Sequence, residues 1–177
     1  MMIGNVLIPT LETERLILRP FALEDLDPFF AIVSNPQVMG NATYSGQTMD
    51  RSQTFNWLCM MLGHWHLRGF GIWAVEIKDS GQFIGRIGLQ YLDWFDDVEL
   101  VWMLTDSAWG KGYGTEGARA AIDFAFGFLQ LPAVTAVIRL DNEPSQKLAK
   151  RLGMLPDRKL EREGVKFEEY RLKKPLD

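Results

Sequence analysis

Three glycines alternate with larger residues in one short segment of the chain, which reads Trp109-Gly110-Lys111-Gly112-Tyr113-Gly114 and continues with Thr115. Glycine lets the backbone approach a ligand closely and point several N–H groups at one spot. A helix predicted over residues 115–129 would add roughly half a positive charge at its N-terminus. The pattern therefore indicates a loop that binds phosphate or pyrophosphate, unless the glycines form only a tight turn between a strand and a helix.

The same region also matches a dinucleotide-binding fingerprint, because residues 112–117 read GxGxxG. This makes a nicotinamide or flavin enzyme the main alternative. In that fold the first glycine directly follows a strand, and an acidic residue ends the next strand about 20 residues later. Here several residues separate Leu104 from Gly112, and Asp141 comes later than that spacing allows. No Gly-Lys-Ser/Thr follows, so nucleotide triphosphate hydrolysis has no support.

Cys59, His64 and His66 are the remaining residues whose types suggest a site. Positions two apart on a helix face different ways, so the two histidines would not converge on a metal ion. A lone cysteine cannot form an internal disulfide, and no Ser–His pair is visible. We therefore expect no metal site and no acyl-enzyme intermediate.

The elements that must position the glycine loop follow from hydrophobic periodicity and from turn residues. A strand–helix–strand unit around the loop implies a right-handed crossover and a parallel pair of strands. Hairpin signals elsewhere indicate antiparallel neighbours. The predicted fold is α/β (α+β), with a mixed, mostly antiparallel seven-stranded sheet, a parallel central pair and flanking helices. Strands are predicted over residues 15–19, 71–78, 83–92, 98–104, 133–138, 154–161 and 165–172, and helices over 23–34, 51–67, 115–129 and 142–152.

Composition limits the classes of protein that the chain can belong to. With 177 residues, of which 47% are hydrophobic, we expect one globular domain over residues 1–177. A net charge of -4 argues against nonspecific nucleic-acid binding. No apolar run approaches the roughly 18 residues of a membrane span, and the first residues lack the pattern of a signal peptide. These features predict a cytoplasmic protein with neither a nucleic-acid nor a membrane partner.

The loop at residues 109–114 resembles the cofactor loop of the GNAT superfamily of N-acetyltransferases, Gln/Arg-x-x-Gly-x-Gly/Ala. Trp109 in its first position is similar to the branch of ribosomal-protein N-terminal acetyltransferases, the RimJ/RimL type. Two further segments fit that branch: residues 11–20, and the motif Asn142-Glu143-Pro144-Ser145 with Lys147, Arg151 and Gly153. The resemblance spans nearly the whole chain and implies that acetyl-CoA is the acetyl donor.

The resemblance also assigns residues to the cofactor. In the family, the strand matching residues 98–104 diverges from the strand matching 133–138, and pantetheine lies in the gap between them. Backbone groups of Trp102, Met103 and Leu104 would then hold pantetheine. The pyrophosphate would lie on Trp109, Gly110, Lys111, Gly112, Tyr113, Gly114 and Thr115. Asn142, Ser145 and Lys147 complete the implied cofactor site, although Asn142 is equally well explained as a helix N-cap.

Acetyl transfer needs a neutral amine, a polarised thioester and a proton for the leaving thiolate. Glu99 is the candidate base, because it lies on the strand beside the loop and desolvation would raise its pKa; a solvated surface carboxylate is the alternative. A backbone N–H near Met103 or Leu104, freed by a bulge, would stabilise the oxyanion. Many family members protonate the thiolate with a tyrosine at the position of Ala149, and Ser145 is the substitute in the RimJ/RimL branch.

The acceptor follows from the resemblance and from the cost of deprotonation. At pH 7 a lysine amine costs about 4.6 kcal/mol to neutralise, whereas an α-amine costs only about 1. The first prediction is therefore a protein or peptide N-terminus, and the second a polyamine, amino acid or aminoglycoside. The six tryptophans are expected mostly in the core. The alternative for Trp65 and the Trp94-Phe95 turn is to line the acceptor pocket or a homodimer contact. A nicotinamide oxidoreductase and a noncatalytic acyl-CoA-binding module remain as alternatives of other classes.

Overall fold

A computed structural model describes residues 7–43, 45–92 and 97–175 of the chain. One mixed sheet has the strand order β1-β2-β3-β4-β5-β6-β8-β7. The strands are β1 (Leu11–Glu12), β2 (Leu16–Arg19), β3 (Ile72–Ile77), β4 (Gln82–Leu92), β5 (Asp97–Leu104), β6 (Ala133–Arg139), β7 (Leu155–Arg162) and β8 (Val165–Lys173). The helices are α1 (Leu26–Val33), α2 (Pro36–Ala42), α3 (Arg51–Arg68), α4 (Tyr113–Asp123) and α5 (Glu143–Arg151), and a π-helical turn, Phe124–Phe128, continues α4.

The mixed sheet with a parallel pair is confirmed, but the number of strands was wrong. The part of the chain that the structure describes contains eight strands rather than seven. The additional strand is β1, which pairs antiparallel with β2 through Leu11 opposite Leu18. Two residues are too few to give an alternating pattern, so the sequence carried no signal for this strand.

Two helices differ from the prediction. Helix α2, Pro36–Ala42, was not predicted, since no helix was expected between residues 34 and 51. Its start is nevertheless a strong local signal, because Asn35 accepts the N–H of Gln37 and Pro36 occupies the first helical position. Helix α4 begins at Tyr113, two residues earlier than expected. Part of the glycine loop is therefore the first turn of the helix itself.

The two faces of the sheet bury separate cores. One core packs α4 and its π turn against the sheet and contains Trp65, Trp73 and Phe124, whose rings meet edge to face at 4.9–6.1 Å. The other packs α1, α2 and α3 against the opposite face. Strand β5 supplies both, since Leu100 and Leu104 enter the first core and Met103 the second. Residues of β5 therefore alternate between the two helical layers.

Buried contacts account for two residues that were candidates for other roles. Trp65 is 1% exposed and donates its indole N–H to Ile72 O at 3.2 Å, so it packs the core rather than a pocket or a dimer contact. The ring of His64 bridges Phe70 O, 2.7 Å from Nδ1, and the N–H of Tyr91, 3.0 Å from Nε2. The Trp94-Phe95 turn lies outside the described residues. Within the described ranges, none of the helices is both long and apolar enough to cross a membrane.

Candidate active site

Strands β5 and β6, both wholly within the described ranges, are in register at a single pair, Glu99 and Thr135. The carbonyl of Val98 points toward β6, since it accepts from Thr135 Oγ1 at 3.1 Å. The N–H of Thr105, just after β5, points the other way, toward β4, and donates to Ile84 O. Peptide groups alternate sides along a strand. Even-numbered residues of β5 therefore turn their N–H and C=O groups toward β6.

Beyond the Glu99–Thr135 pair, this alternation directs the peptide groups of Trp102 and Leu104 into the gap between the strands. The indole N–H of Trp109 donates to Leu104 O at 3.0 Å. The pairing of β4 with β5 runs from Asp97 to Leu104 without a shift in register. Divergence of β5 from β6, rather than a bulge in β5, is thus what turns backbone groups toward a ligand.

One cavity, of about 410 Å³, lies between this gap and the N-terminus of α4, and we call it the α4 cavity. Gly110 and Gly112 in its wall have φ values of 73° and 83°, a region that favours glycine. The N–H of Glu116 donates to Gly112 O at 3.0 Å and closes the first turn of α4. The amides of residues 113–115 precede that bond and have no partner within the helix. They form the kind of N-terminal donor set that binds an anion.

Most of the predicted cofactor residues line the α4 cavity, and three do not. Those that line it are Trp102, Met103, Leu104, Trp109, Gly110, Gly112, Gly114, Thr115, Asn142 and Ser145. The side chain of Lys147 is 69% exposed and pairs with Glu143 at 3.2 Å, while Leu148 and Arg151 of the same helix face the cavity. Lys111 is exposed, and its carbonyl accepts from Arg15 Nη1 at 3.0 Å. The ring of Tyr113 lies under the Arg15 guanidinium at 4.8 Å.

Arg15 and Glu116 brace the glycine loop, and sequence reasoning missed this contact. Arg15 Nε donates to Glu116 Oε2 at 2.7 Å, and its backbone N–H donates to Oε1 at 2.8 Å. Thr13 Oγ1 adds a third bond to Glu116 at 2.5 Å. Burial acts to raise the pKa of Glu116, but the hydrogen bonds from Thr13 and Arg15 outweigh it and hold the pKa below its ordinary value. The start of the chain thereby fixes the first turn of α4.

Helix α5 places Ser145 at the edge of the gap. Its N-cap Asn142 accepts the N–H of Ser145 through Oδ1 at 3.1 Å, and Pro144 occupies the first turn. Ser145 Oγ in turn accepts the indole N–H of Trp102 at 3.2 Å. Because the indole N–H occupies an acceptor position of the oxygen, the hydroxyl proton remains available for donation. Ala149, one turn further on, is fully buried.

A second cavity, of about 380 Å³, opens on the other side of the gap, and we call it the β4 cavity because Arg86 and Gln90 of β4 form part of its wall. It is also lined by Trp57 and Met60 of α3, Glu99 and Val101 of β5, Val137 and Arg139 of β6, Arg162 of β7 and Phe167 of β8. The two cavities share Ala42, Trp102, Asn142 and Ser145. A molecule in one cavity therefore meets a molecule in the other at Trp102 and Ser145.

Glu99 lies in the wall of the β4 cavity and is 7% exposed. Its Oε1 accepts the N–H of Val137 at 3.1 Å, and its Oε2 accepts from Gln90 Nε2 at 2.6 Å. Burial raises the pKa of Glu99, opposed by these two hydrogen bonds and by the charge of Arg86. A carboxylate oxygen has more than one lone pair, so both oxygens retain capacity for a further proton. A carboxylate in this environment suits general base catalysis.

Arg86 is the second buried charge of the β4 cavity, and no sequence pattern predicted it. Its side chain stacks on the indole of Trp57, with Cζ 4.3 Å from the ring centroid. Burial lowers the pKa of Arg86 to about 10, so the guanidinium stays charged at neutral pH. Its Nε and Nη1 atoms are buried and have no hydrogen-bond partner among the described residues.

Residues 15–155 match the family described as "Acetyltransferase (GNAT) domain". An uncharacterized N-acetyltransferase of Bacillus subtilis, YoaA, is 30% identical over 90% of this chain and 86% of its own. The crystal structure of an acetyltransferase from Agrobacterium tumefaciens is 33% identical, with a TM-score of 0.83 over 94% of this chain and 95% of that chain.

Two more distant structures share the fold, and the two proteins are acetyltransferases named for different acceptors. One is RimL, a ribosomal alpha-N-protein acetyltransferase in complex with coenzyme A, which is 14% identical with a TM-score of 0.78 over 93% of this chain and 98% of that chain. The other is a spermidine N-acetyltransferase from Vibrio cholerae in complex with CoA and spermine, 16% identical with a TM-score of 0.73 over 89% and 95% of the two chains.

Proposed function

The chain belongs to the GNAT acetyltransferase family, and from this premise we propose that it acetylates the N-terminal α-amine of a protein or peptide. It is an acetyl-CoA-dependent acetyltransferase. The observation that carries the proposal is the meeting of the α4 and β4 cavities at Trp102 and Ser145. Donor and acceptor bound on opposite sides of that contact form a ternary complex, in which the amine attacks the thioester directly.

The α4 cavity fits the acetyl donor. Its pyrophosphate needs several N–H donors and positive potential at one point, and the first turn of α4 supplies both through residues 113–115. The peptide groups of Trp102 and Leu104 in the gap are placed to hold the extended pantetheine arm as an added strand would be held. Bound acetyl-CoA supplies the activated acetyl group, and the peptide N–H groups of this gap stabilise the charge on its carbonyl oxygen.

Glu99 is the proposed base. Its burial raises its pKa toward the value that a base needs near neutral pH, and Gln90 and Val137 hold its carboxylate in place. An α-amine requires only about 1 kcal/mol to lose its proton at pH 7, so a base of this kind suffices. Deprotonating a lysine side chain at pH 7 costs more free energy than deprotonating an α-amine, which favours an N-terminal acceptor.

Ser145 is the proposed acid for the leaving thiolate. It lies in the walls of both cavities, and the indole N–H of Trp102 fixes its oxygen. The hydroxyl proton is then directed away from Trp102 and is available to the sulfur. A thiol has a pKa near 8.5, so the thiolate is a tolerable leaving group and a weak acid is enough.

The charge of the β4 cavity bears on the choice between acceptors. Among the described residues that line it, Glu99 is the one carboxylate, whereas Arg86, Arg139 and Arg162 bring three cationic groups. Arg139 is paired with Asp141, 2.7 Å away, and Arg162 with Glu163, 3.9 Å away. A polyamine or an aminoglycoside carries several positive charges and would meet repulsion there. A peptide N-terminus brings a single amine.

The test is the release of coenzyme A with a panel of amines. The panel contains peptides with free N-termini, the same peptides blocked at the N-terminus but carrying a lysine, spermidine and an aminoglycoside. Turnover with the free N-termini and a mass shift on the α-amine is the expected result. Turnover confined to spermidine, to the aminoglycoside or to the lysine side chain would refute an N-terminal acceptor. Coenzyme A release with none of them would favour a noncatalytic acyl-CoA-binding module.

A further inference from the structure

Arg86 carries donors that the protein itself does not use. The residue is 6% exposed, and it lies in the wall of the β4 cavity. Stacking on Trp57 occupies the face of the guanidinium but none of its five N–H groups. Nε and Nη1 are buried without a hydrogen-bond partner among the described residues. Burying a charge in this way is costly unless something pairs with it.

The carboxylate that faces Arg86 across the cavity is already engaged. The charge of Glu99 acts on Arg86, yet its oxygens accept from Gln90 at 2.6 Å and from Val137 at 3.1 Å. The other acidic group at this end of β6, Asp141, is paired with Arg139 through two hydrogen bonds of 2.9 and 2.7 Å. The donors of Arg86 therefore remain for a group that enters the cavity.

The register of β4 and β5 separates the two charges. Arg86 lies opposite Met103 of β5. Gln90 lies opposite Glu99 and also donates a hydrogen bond to it. Four residues along a strand span about 13 Å between Cα atoms, and the long side chains of Arg86 and Glu99 shorten the distance between their charged ends. The cavity thus presents a carboxylate at one end and a guanidinium at the other.

We infer that Arg86 binds a carboxylate of the acceptor, so that the acceptor is an amine with an acidic group a few bonds from its nitrogen. This inference rests on the proposed transfer of acetyl to an amine bound in the β4 cavity. Arg86 then holds the carboxylate by charge-assisted hydrogen bonds. The amine, a few bonds away, lies toward Trp102 and Ser145, where the cavities meet, and Glu99 acts on it through a relay. Two sources have this chemistry: an acidic side chain at the N-terminus of a peptide, and the α-carboxylate of a free amino acid.

The experiment compares acceptors that differ only in a carboxylate. One arm uses peptide amides that begin with aspartate-alanine-serine or asparagine-alanine-serine, and the other uses leucine and leucinamide. We expect kcat/KM to be about 10- to 100-fold higher for the acid in one arm. The arm in which the preference appears identifies the source of the carboxylate.

Variants assign the preference to Arg86. In Arg86→Gln the acid-to-amide ratio falls to about one through a rise in KM for the acid, and the KM for acetyl-CoA does not change. All rates in this comparison are expressed per unprotonated amine, because the two acceptors of an arm differ in amine pKa and the ratio alone does not remove that difference. Arg51→Gln is the matched control, because Arg51 is an exposed arginine that pairs with Asp27 on the surface. Arg86→Lys keeps the charge and loses the planar fork, so it retains part of the preference.

Equal rates for acid and amide in both arms of the wild-type protein would overturn the inference, and this result needs no variant to fold. A preference that survives intact in Arg86→Gln would also overturn it. In both cases acetylation of the amides still supports the proposed function. Lack of turnover with every amine would count against the proposed function itself, and the inference would fall with it.

Discussion

The α4 cavity takes much of its wall from one stretch, residues 102–115, and the rest from α2 and α5. The β4 cavity is walled by residues from several elements between the end of α2 and β8. In the first, glycines and the start of a helix present N–H groups, a set of donors that depends little on side-chain identity. In the second, Arg86, Glu99 and Gln90 define the charge and shape. We therefore propose that cofactor binding depends mainly on backbone groups and acceptor choice on side chains, and variants of each cavity test that division.

The largest effect is expected on the acceptor side, from Glu99→Gln. Loss of the base lowers kcat by about 10²- to 10³-fold, because the amine must then lose its proton to water. Isothermal titration with coenzyme A should give an unchanged Kd. A loss of coenzyme A affinity as large as the loss of kcat would break the division between the two cavities.

Glu99 also predicts the acid limb of the pH profile. To remove the ionisation of the acceptor amine, kcat/KM is expressed per unprotonated amine. Because burial raises the pKa of Glu99, this quantity should fall in the wild-type protein, as the pH decreases, at a higher pH than an ordinary carboxyl with a pKa of 4.5 would give. The Glu99→Gln variant has no such group, and its residual rate should lack this limb. An identical acid limb in both proteins would contradict the assignment.

The next effect is expected on the cofactor side, from Gly112→Ala. The φ of 83° is strained for alanine, and a Cβ there would lie 3.2 Å from Arg15 Nη2. Strain of about 1–2 kcal/mol that is relieved by moving the loop raises the Kd for coenzyme A about tenfold. The matched control is Gly127→Ala, because Gly127 is an exposed residue of the π turn and a Cβ there would meet nothing within 4 Å. If Gly112→Ala changed the KM for the acceptor but not the Kd for coenzyme A, the glycine loop would act on the acceptor and not on the cofactor.

Ser145 borders both cavities, so it tests the point where they meet. Ser145→Ala should lower kcat by about five- to tenfold, less than the full value of an acid, because the thiolate is a tolerable leaving group. Ser145→Thr keeps a hydroxyl and should recover most of the rate. Equal losses in both variants would mean that Ser145 acts by packing alone.

The smallest effect concerns the brace of the glycine loop, and it appears in stability. The pKa of Glu116 is lower in the folded protein than in the unfolded chain, where it is near 4.5. The ionised side chain therefore adds to the free energy of unfolding above pH 4.5, and this stabilisation is lost as the pH falls through the folded pKa. The difference in Tm between the wild-type protein and Glu116→Gln should therefore be largest near neutral pH and shrink below pH 4.5. A difference that grew on acidification would contradict the ion pair with Arg15.

The same contrast explains how far the sequence could predict the molecule. The glycine loop, Asn142 as an N-cap and the parallel pair of strands depend on neighbours in the chain, and local patterns reveal them. Strand β1 was missed because two residues show no period. Lys147 was predicted to bind the cofactor, whereas α5 turns its side chain outward to Glu143. Resemblance named a residue type at that position but could not give its direction.

The acceptor side could be predicted only in part. Glu99 was found because alternation along one strand is a local signal. Gln90, Arg86 and Trp57 were not, because their contacts form only when β4, β5 and α3 are packed together. The brace between Arg15 and Glu116 joins residues 101 positions apart, and no spacing rule links them.

The single register pair between β5 and β6 also sets a length. Glu99 belongs to that pair, and a rise of about 3.3 Å per residue puts Trp102, where the cavities meet, roughly 10 Å further along the strand. One hydrogen bond from the glutamate side chain does not span this distance, so we expect the proton to travel by a relay through water or a polar atom of the acceptor. Glu99→Asp would keep the charge, but its side chain is one methylene shorter, so the relay would have to cover a longer distance to the acceptor.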